Sequence, residues 1–126
     1  MCGIVGISGF RDDTLVEKMC QSLVHRGPDA IGTYFSNKVS LGHTRLSIID
    51  LNDISNQPMS NYDNSLHIVY NGELYNFINI KNKLIKKGYS FKTLSDTEVV
   101  LYAYEEWGSD CLNMFNGMFS FAINDE

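Results

Sequence analysis

No apolar run in the 126-residue chain comes near the roughly 20 residues that a membrane-spanning helix needs. The N-terminus also lacks the basic start and long apolar stretch of a secretory signal, so a cytoplasmic location is the expectation. Cysteine is sparse: Cys2, Cys20 and Cys111 are an odd set with no CxxC pair, which speaks against a disulfide framework and a zinc cluster alike and leaves reduced thiols. Basic clusters are missing too. The formal charge of −5 comes from acids and bases mixed along the chain, with nothing arranged to neutralise phosphates, so nucleic acid is not an expected partner. Neither a GxGxxG loop nor a GxxxxGKS or GxxxxGKT loop is found, which argues against a dinucleotide- or nucleotide-binding fold. No repeat, low-complexity stretch or linker divides the sequence. What is there, 44% hydrophobic and 12% aromatic residues, can bury one core but hardly two.

Strand-like and helix-like segments alternate from one end to the other. Ile4-Val5-Gly6-Ile7 is short and β-branched, as an early buried strand would be, and it puts residue 2 at the mouth of a sheet. From Thr14, the residues Leu15, Met19, Leu23 and Val24 fall at helical spacing, with Gly27-Pro28 as the expected stop. Strands are expected over 31–35 and 39–49, joined by a turn at Ser36-Asn37-Lys38, and over 66–70. Residues 78–87 read as a basic amphipathic helix closed by Gly88. The clearest helix is 95–107, where Ser95 and Glu98 predict a capping box. Met118 to Ile123 reads as a last strand. The pattern is α+β, with antiparallel sheets and covering helices.

Met1-Cys2-Gly3 is the most informative feature for chemistry. Removal of the initiator methionine would leave a cysteine with both a thiol and a free α-amine, so that nucleophile and base share one residue. An unperturbed thiol titrates near roughly 8.5 and an α-amine near roughly 7.7 to 8.0, so at neutral pH the amine can take the thiol proton directly or through water. The intermediate would be a thioester. A cysteine after a start methionine is also a common accident, and glycines such as Gly3 and Gly6 near a strand end often mark only a bend.

Six segments occur in order at compatible spacing: Met1-Cys2-Gly3-Ile4-Val5-Gly6, His25-Arg26-Gly27-Pro28-Asp29, the run from Leu41 to Asp50, Gln57-Pro58-Met59, Asn71-Gly72-Glu73-Leu74-Tyr75-Asn76-Phe77 and Ser95-Asp96-Thr97-Glu98-Val99. Together they resemble the glutaminase domain of asparagine synthetases, a class II glutamine amidotransferase, and the resemblance runs to Met118-Phe119-Ser120-Phe121-Ala122. Related amidotransferases of purine and amino-sugar synthesis share the cysteine start, the Asn-Gly pair and the Asp-Thr-Glu helix start. The Arg45 to Asp50 run with Arg26-Gly27-Pro28-Asp29 points to the asparagine synthetase branch. The resemblance implies an N-terminal nucleophile hydrolase fold, two antiparallel sheets between helical layers.

It also implies roles, each with a plainer competitor. Cys2 would be the nucleophile. Asn71-Gly72 alone reads most simply as a type I′ hairpin turn between strands; in the family the Asn71 amide and the Gly72 N–H would face the oxygen that turns negative in the tetrahedral intermediate, with glycine leaving room for substrate. Arg45 in an apolar run would ordinarily be an outward, solvated side chain; in the family its guanidinium would hold the glutamine α-carboxylate by two parallel hydrogen bonds, with Leu46, Ser47, Ile48 and Ile49 supplying backbone and apolar walls. Asp96 would ordinarily be an acid favoured by a helix N-terminus; in the family it binds the α-ammonium, with Glu73 assisting. His25 and His43 receive no role as base, because the terminal amine supplies one. Cys20 reads as a packed thiol, and Cys111 lacks an identifiable base.

The second domain of asparagine synthetases, which activates aspartate with ATP and carries a Ser-Gly-Gly-type phosphate loop, has no counterpart among these residues. Residues 1–126 are therefore expected to be the N-terminal portion of a glutaminase domain, incomplete at its C-terminal side. No metal or cofactor is expected for the glutaminase step, ATP and magnesium belonging to the synthetase domain. The expected partners are glutamine, a synthetase domain or subunit that receives ammonia, and identical copies in a homo-oligomer. Two other readings stay open: a catalytically silent or regulatory module that keeps the fold, and the glutaminase domain of another amidotransferase branch.

Overall fold

A computed structural model describes residues 1–47 and 53–126. Two three-stranded antiparallel sheets face each other. In one, β3 (Val39–Arg45) runs between β1 (Gly3–Ser8) and β2 (Ala30–Phe35); in the other, β5 (Leu66–Leu74) runs between β4 (Met59–Ser60) and β6 (Gly117–Asp125). Helix α1 (Asp13–Ser22) covers the first sheet, and α2 (Phe77–Lys86) and α3 (Asp96–Trp107) cover the second. The layers are helix, sheet, sheet, helices. No helix among the described residues is long and apolar enough to cross a membrane.

β5 is buried on both faces, and its period-two alternation sorts its side chains between the layers. Leu66, Ile68, Tyr70 and Leu74 join Ile80, Leu84, Val99 and Leu101 of the helices in the main core. His67, one residue out of phase, turns the other way and stacks on Tyr34 of β2 with 3.7 Å between ring centroids. On the opposite flank, Val16 and Cys20 of α1 are fully buried over the first sheet.

Several local expectations need correction. Helix α1 ends at Ser22, well before Gly27-Pro28: the Leu23 N–H already reaches the Cys20 carbonyl, and the Leu23 carbonyl is taken by the Arg26 N–H and the Thr44 hydroxyl, which winds 23–27 into turns. Strand β3 stops at Arg45 rather than running on through 49, and residues 48–52 lie outside the described residues. Asn71-Gly72 is no hairpin turn. Both residues lie inside β5, opposite Ser120 and Phe119 of β6, and the chain turns only at Tyr75-Asn76. The capping box at α3 is half formed: Ser95 accepts from the Thr97 N–H, but the Glu98 carboxylate turns to the Lys92 and Thr93 N–H groups and the Thr93 hydroxyl. Glu98 thereby ties the incoming loop to the helix instead of bonding Ser95.

At Gly32, strand β2 lies against the Gln57-Pro58 segment. A Cβ there would lie 1.9 Å from the Gln57 carbonyl oxygen, a backbone atom that cannot swing aside. Gly32→Ala is expected to cost about 2 to 3 kcal/mol, as overpacked sites do, read as a lower urea midpoint at unchanged slope; an unchanged midpoint would mean that the 53–60 loop yields.

Candidate active site

Four segments end at one rim of the sandwich: the start of β1, the end of β3, the second half of β5 and the first turn of α3. They enclose a cavity of about 580 Å³ lined by Cys2, Arg45, Leu46, Tyr70, Asn71, Gly72, Glu73 and Asp96, with Gln57, Thr97 and Phe119 among its other walls. Of the residues singled out from sequence, seven therefore share one space. Ser47 does not line it, and its N–H donates instead to Asp29 Oδ2 at 2.8 Å. Ile48 and Ile49 lie outside the described residues.

Cys2 is held by its neighbours rather than by its own strand. Arg26 Nε donates to the Cys2 carbonyl at 3.1 Å, and the Gly3 N–H donates to the Thr44 hydroxyl at 3.1 Å. The Leu46 N–H reaches Cys2 Sγ at 3.3 Å, which fixes the sulfur at the cavity wall. The other two thiols are elsewhere: Cys20 and Cys111 are buried, and burial pushes both above the usual thiol range.

Arg45 is not an outward, solvated side chain. It is 7% exposed, because β3 is the central strand and its final residue points into the rim. One of its donors, Nη1, reaches Asn56 Oδ1 at 2.6 Å.

The second half of β5 supplies the opposite wall. Its neighbour β4 pairs only with His67 and Ile68, so beyond that point the strand presents a main-chain edge without a partner strand. Side chains take over. The Tyr70 N–H donates to Gln57 Oε1 at 2.6 Å and the Leu74 N–H to Asp96 Oδ2 at 2.9 Å. Alternate residues of an antiparallel strand turn their N–H groups to the same side, so the Gly72 N–H lies at this same edge, between those two, facing the cavity that Gly72 lines. The reason for glycine here differs from the one expected: a Cβ would strike the Met118 carbonyl and the Phe119 backbone at 2.2 and 2.5 Å, so β6 claims the space rather than a substrate. Among the described residues the Asn71 side chain makes no hydrogen bond, which leaves its amide uncommitted at the cavity wall.

Asp96 is 4% exposed. Burial raises its carboxyl above the usual aspartate range, opposed by the Leu74 N–H and the Tyr70 hydroxyl, which donates to Oδ2 at 3.0 Å. No cationic side chain forms an ion pair with it among the described residues. A buried carboxylate with hydrogen-bond donors but no counter-ion beside a cavity is an electrostatic seat for a cation. Tyr70 is correspondingly pushed far above the usual tyrosine range by burial and by Asp96, so it stays a neutral donor.

His43 sits behind this wall with Nε2 3.2 Å from the Tyr70 carbonyl. A carbonyl only accepts, so Nε2 carries the proton; burial lowers the imidazole to about 4 and keeps it neutral. It braces β5 against β3 and lies off the cavity lining. Tyr70, Gln57 and Thr97 were missed as site residues. Gln57-Pro58-Met59 stood out as a segment, but only the bond from Gln57 Nε2 to Thr97 Oγ1, at 3.2 Å, together with the one from Tyr70, gives the glutamine a task.

The chain matches the glutamine amidotransferase domain family over residues 1–126. It is 40% identical over 130 residues to asparagine synthetase (glutamine-hydrolyzing) 1 of Bacillus subtilis, covering 98% of this chain and 20% of that one. It is 38% identical over 130 residues to asparagine synthetase (glutamine-hydrolyzing) 1 of Arabidopsis thaliana, covering 99% and 22%. The chain thus spans about a fifth of the length of these curated relatives. In structure it is similar to the glutamine phosphoribosylpyrophosphate amidotransferase from B. subtilis complexed with ADP and GMP, with a TM-score of 0.81 at 22% identity over 99% of this chain and 35% of that one. That likeness is one of fold, the α+β arrangement of two antiparallel sheets with covering helices. From the match over its whole length, the chain belongs to the glutamine amidotransferase domain family.

Proposed function

We propose that the chain hydrolyses free glutamine to glutamate and ammonia, and that the ammonia serves an ATP-dependent amidation of the asparagine synthetase type. The observation that carries this reading is the convergence of Cys2, Arg45, Asn71-Gly72 and Asp96 on one cavity. Once Met1 is removed, the Cys2 α-amine takes the thiol proton and the sulfur attacks the carboxamide carbon. The oxygen that becomes negative lies between the Asn71 amide and the Gly72 N–H, two donors left without a partner among the described residues. Collapse of this intermediate expels the nitrogen, which leaves as ammonia with the proton held on the α-amine, and a thioester to Cys2 remains. Water, deprotonated by the same amine, attacks the thioester; glutamate departs and the proton returns to sulfur. No step calls for a metal or a cofactor; ATP and magnesium belong to the amidation.

Arg45 and Asp96 bind the two ends of the amino acid. The guanidinium pairs with the α-carboxylate, and the buried Asp96 carboxylate, which has no ion-pair partner among the described residues, receives the α-ammonium. A glutamine inside a peptide has neither charge and is refused. Arg45→Lys keeps the charge but loses the planar pair of donors, so the glutamine KM is expected to rise roughly tenfold or more with kcat little changed. An unchanged KM would detach Arg45 from the substrate.

The reading as a whole is tested by the intact mass of the purified chain before and after exposure to a glutamine-shaped electrophile. Loss of Met1 and a single adduct on Cys2 is the expected result. A folded chain that keeps Met1 or takes no adduct would instead support a module that keeps the fold without the reaction.

A further inference from the structure

We propose that Tyr70 is a positioning and specificity-determining residue of the same site, acting on the ammonium end of the substrate through Asp96; this rests on the reading of Asp96 given above. Two routes, one direct and one through Gln57, join Tyr70 of β5 to the first turn of α3. The Tyr70 hydroxyl donates to Asp96 Oδ2, and the Tyr70 N–H reaches Thr97 through the side chain of Gln57. The Tyr70 carbonyl is held from behind by His43. Every polar group of Tyr70 is therefore committed, and the residue is 2% exposed.

The consequence for Asp96 is geometric. The two donors that β5 gives it, the Tyr70 hydroxyl and the Leu74 N–H, both fall on Oδ2. Two donors on one oxygen fix the carboxylate's rotation and direct the remaining acceptor capacity to Oδ1. A carboxylate so held offers an incoming ammonium one oxygen in one place. Without the hydroxyl it can rotate, and its charged form is less well supported in a buried position. The aromatic ring belongs to the main apolar core, with Phe121 as a ring neighbour, so phenylalanine retains that packing and removes only the donor.

The test uses the full chain and three probes for Cys2: a diazoketone analogue of glutamine, the same diazoketone without its α-amine, and iodoacetamide. For Tyr70→Phe, the half-saturating concentration of the first is expected to rise roughly tenfold, the usual worth of a hydrogen bond to a charged group. The maximal inactivation rate should stay within about twofold. The analogue without the amine and iodoacetamide should react with parent and variant alike. Unchanged half-saturation in Tyr70→Phe, where Asp96→Asn loses binding, would overturn the role of Tyr70 while leaving Asp96 its own. Unchanged half-saturation in both variants would remove the reading of Asp96, and this proposal with it. An equal loss on all three probes, the mark of a loosened fold, would also overturn it.

Discussion

A Cys2→Ala chain is expected to release no glutamate from glutamine, a loss of roughly 10⁶-fold where a nucleophile is removed from a catalytic group that works as a unit, while melting close to the parent. The contrast follows from how Cys2 is held. Its carbonyl is tied to Arg26 and the following N–H to Thr44, both through main-chain atoms that alanine keeps. Only the two contacts of the sulfur with the Leu46 main chain are lost, to its N–H and its carbonyl, at a half-buried position where small changes cost about 0.5 kcal/mol. The same variant should take no adduct from a glutamine-shaped electrophile, because the remaining thiols, Cys20 and Cys111, are sealed in the core and pushed toward the unreactive protonated form by burial. Glutamate release that persisted in Cys2→Ala would end the assignment of the nucleophile.

Asn71→Ala should leave glutamine binding nearly intact and lower kcat by roughly 10² to 10³-fold, the cost of removing one donor from an oxyanion site. The side chain spends no hydrogen bond on the folded protein among the described residues, so its loss costs the fold little; and Asn71 occupies the middle of β5, opposite Ser120, with its backbone fixed by the ladder to β6. Steady-state kinetics separate the outcomes. A fall in kcat and kcat/KM together marks an interaction made only in the transition state, whereas a rise in KM alone would make Asn71 a ground-state contact.

The elements most easily read from the sequence were those whose signals are local. The 3.6-residue apolar spacing with Ser95 at its head placed α3 within one residue, and the β-branched start placed β1. The errors arose where a local signal met a tertiary one. Asn-Gly is a strong turn former, yet β6 lies so close at Gly72 that glycine is demanded by a neighbouring strand, and the pair stays extended. For Arg45 the plainer reading, a solvated side chain, competed with the site role because nothing in the sequence tells that β3 is the central strand. Glu98 looked like half of a capping box until the loop at Lys92-Thr93 offered three better donors. The site residues found from sequence came through resemblance of whole segments. Tyr70 escaped because a tyrosine amid apolar strand residues reads as core, which it also is.

The exposed edge of β5 carries a consequence for self-association. An unpaired strand edge is a template for strands of neighbouring molecules, and the second half of β5 presents such an edge at the cavity. Here β4 stops after two pairs, and the next donors along the edge are occupied by Gln57 and Asp96, with the Gly72 N–H between them. A foreign strand needs an unbroken row of donors and acceptors and finds this one interrupted on both sides of Gly72, so the edge stays open to the cavity without inviting aggregation.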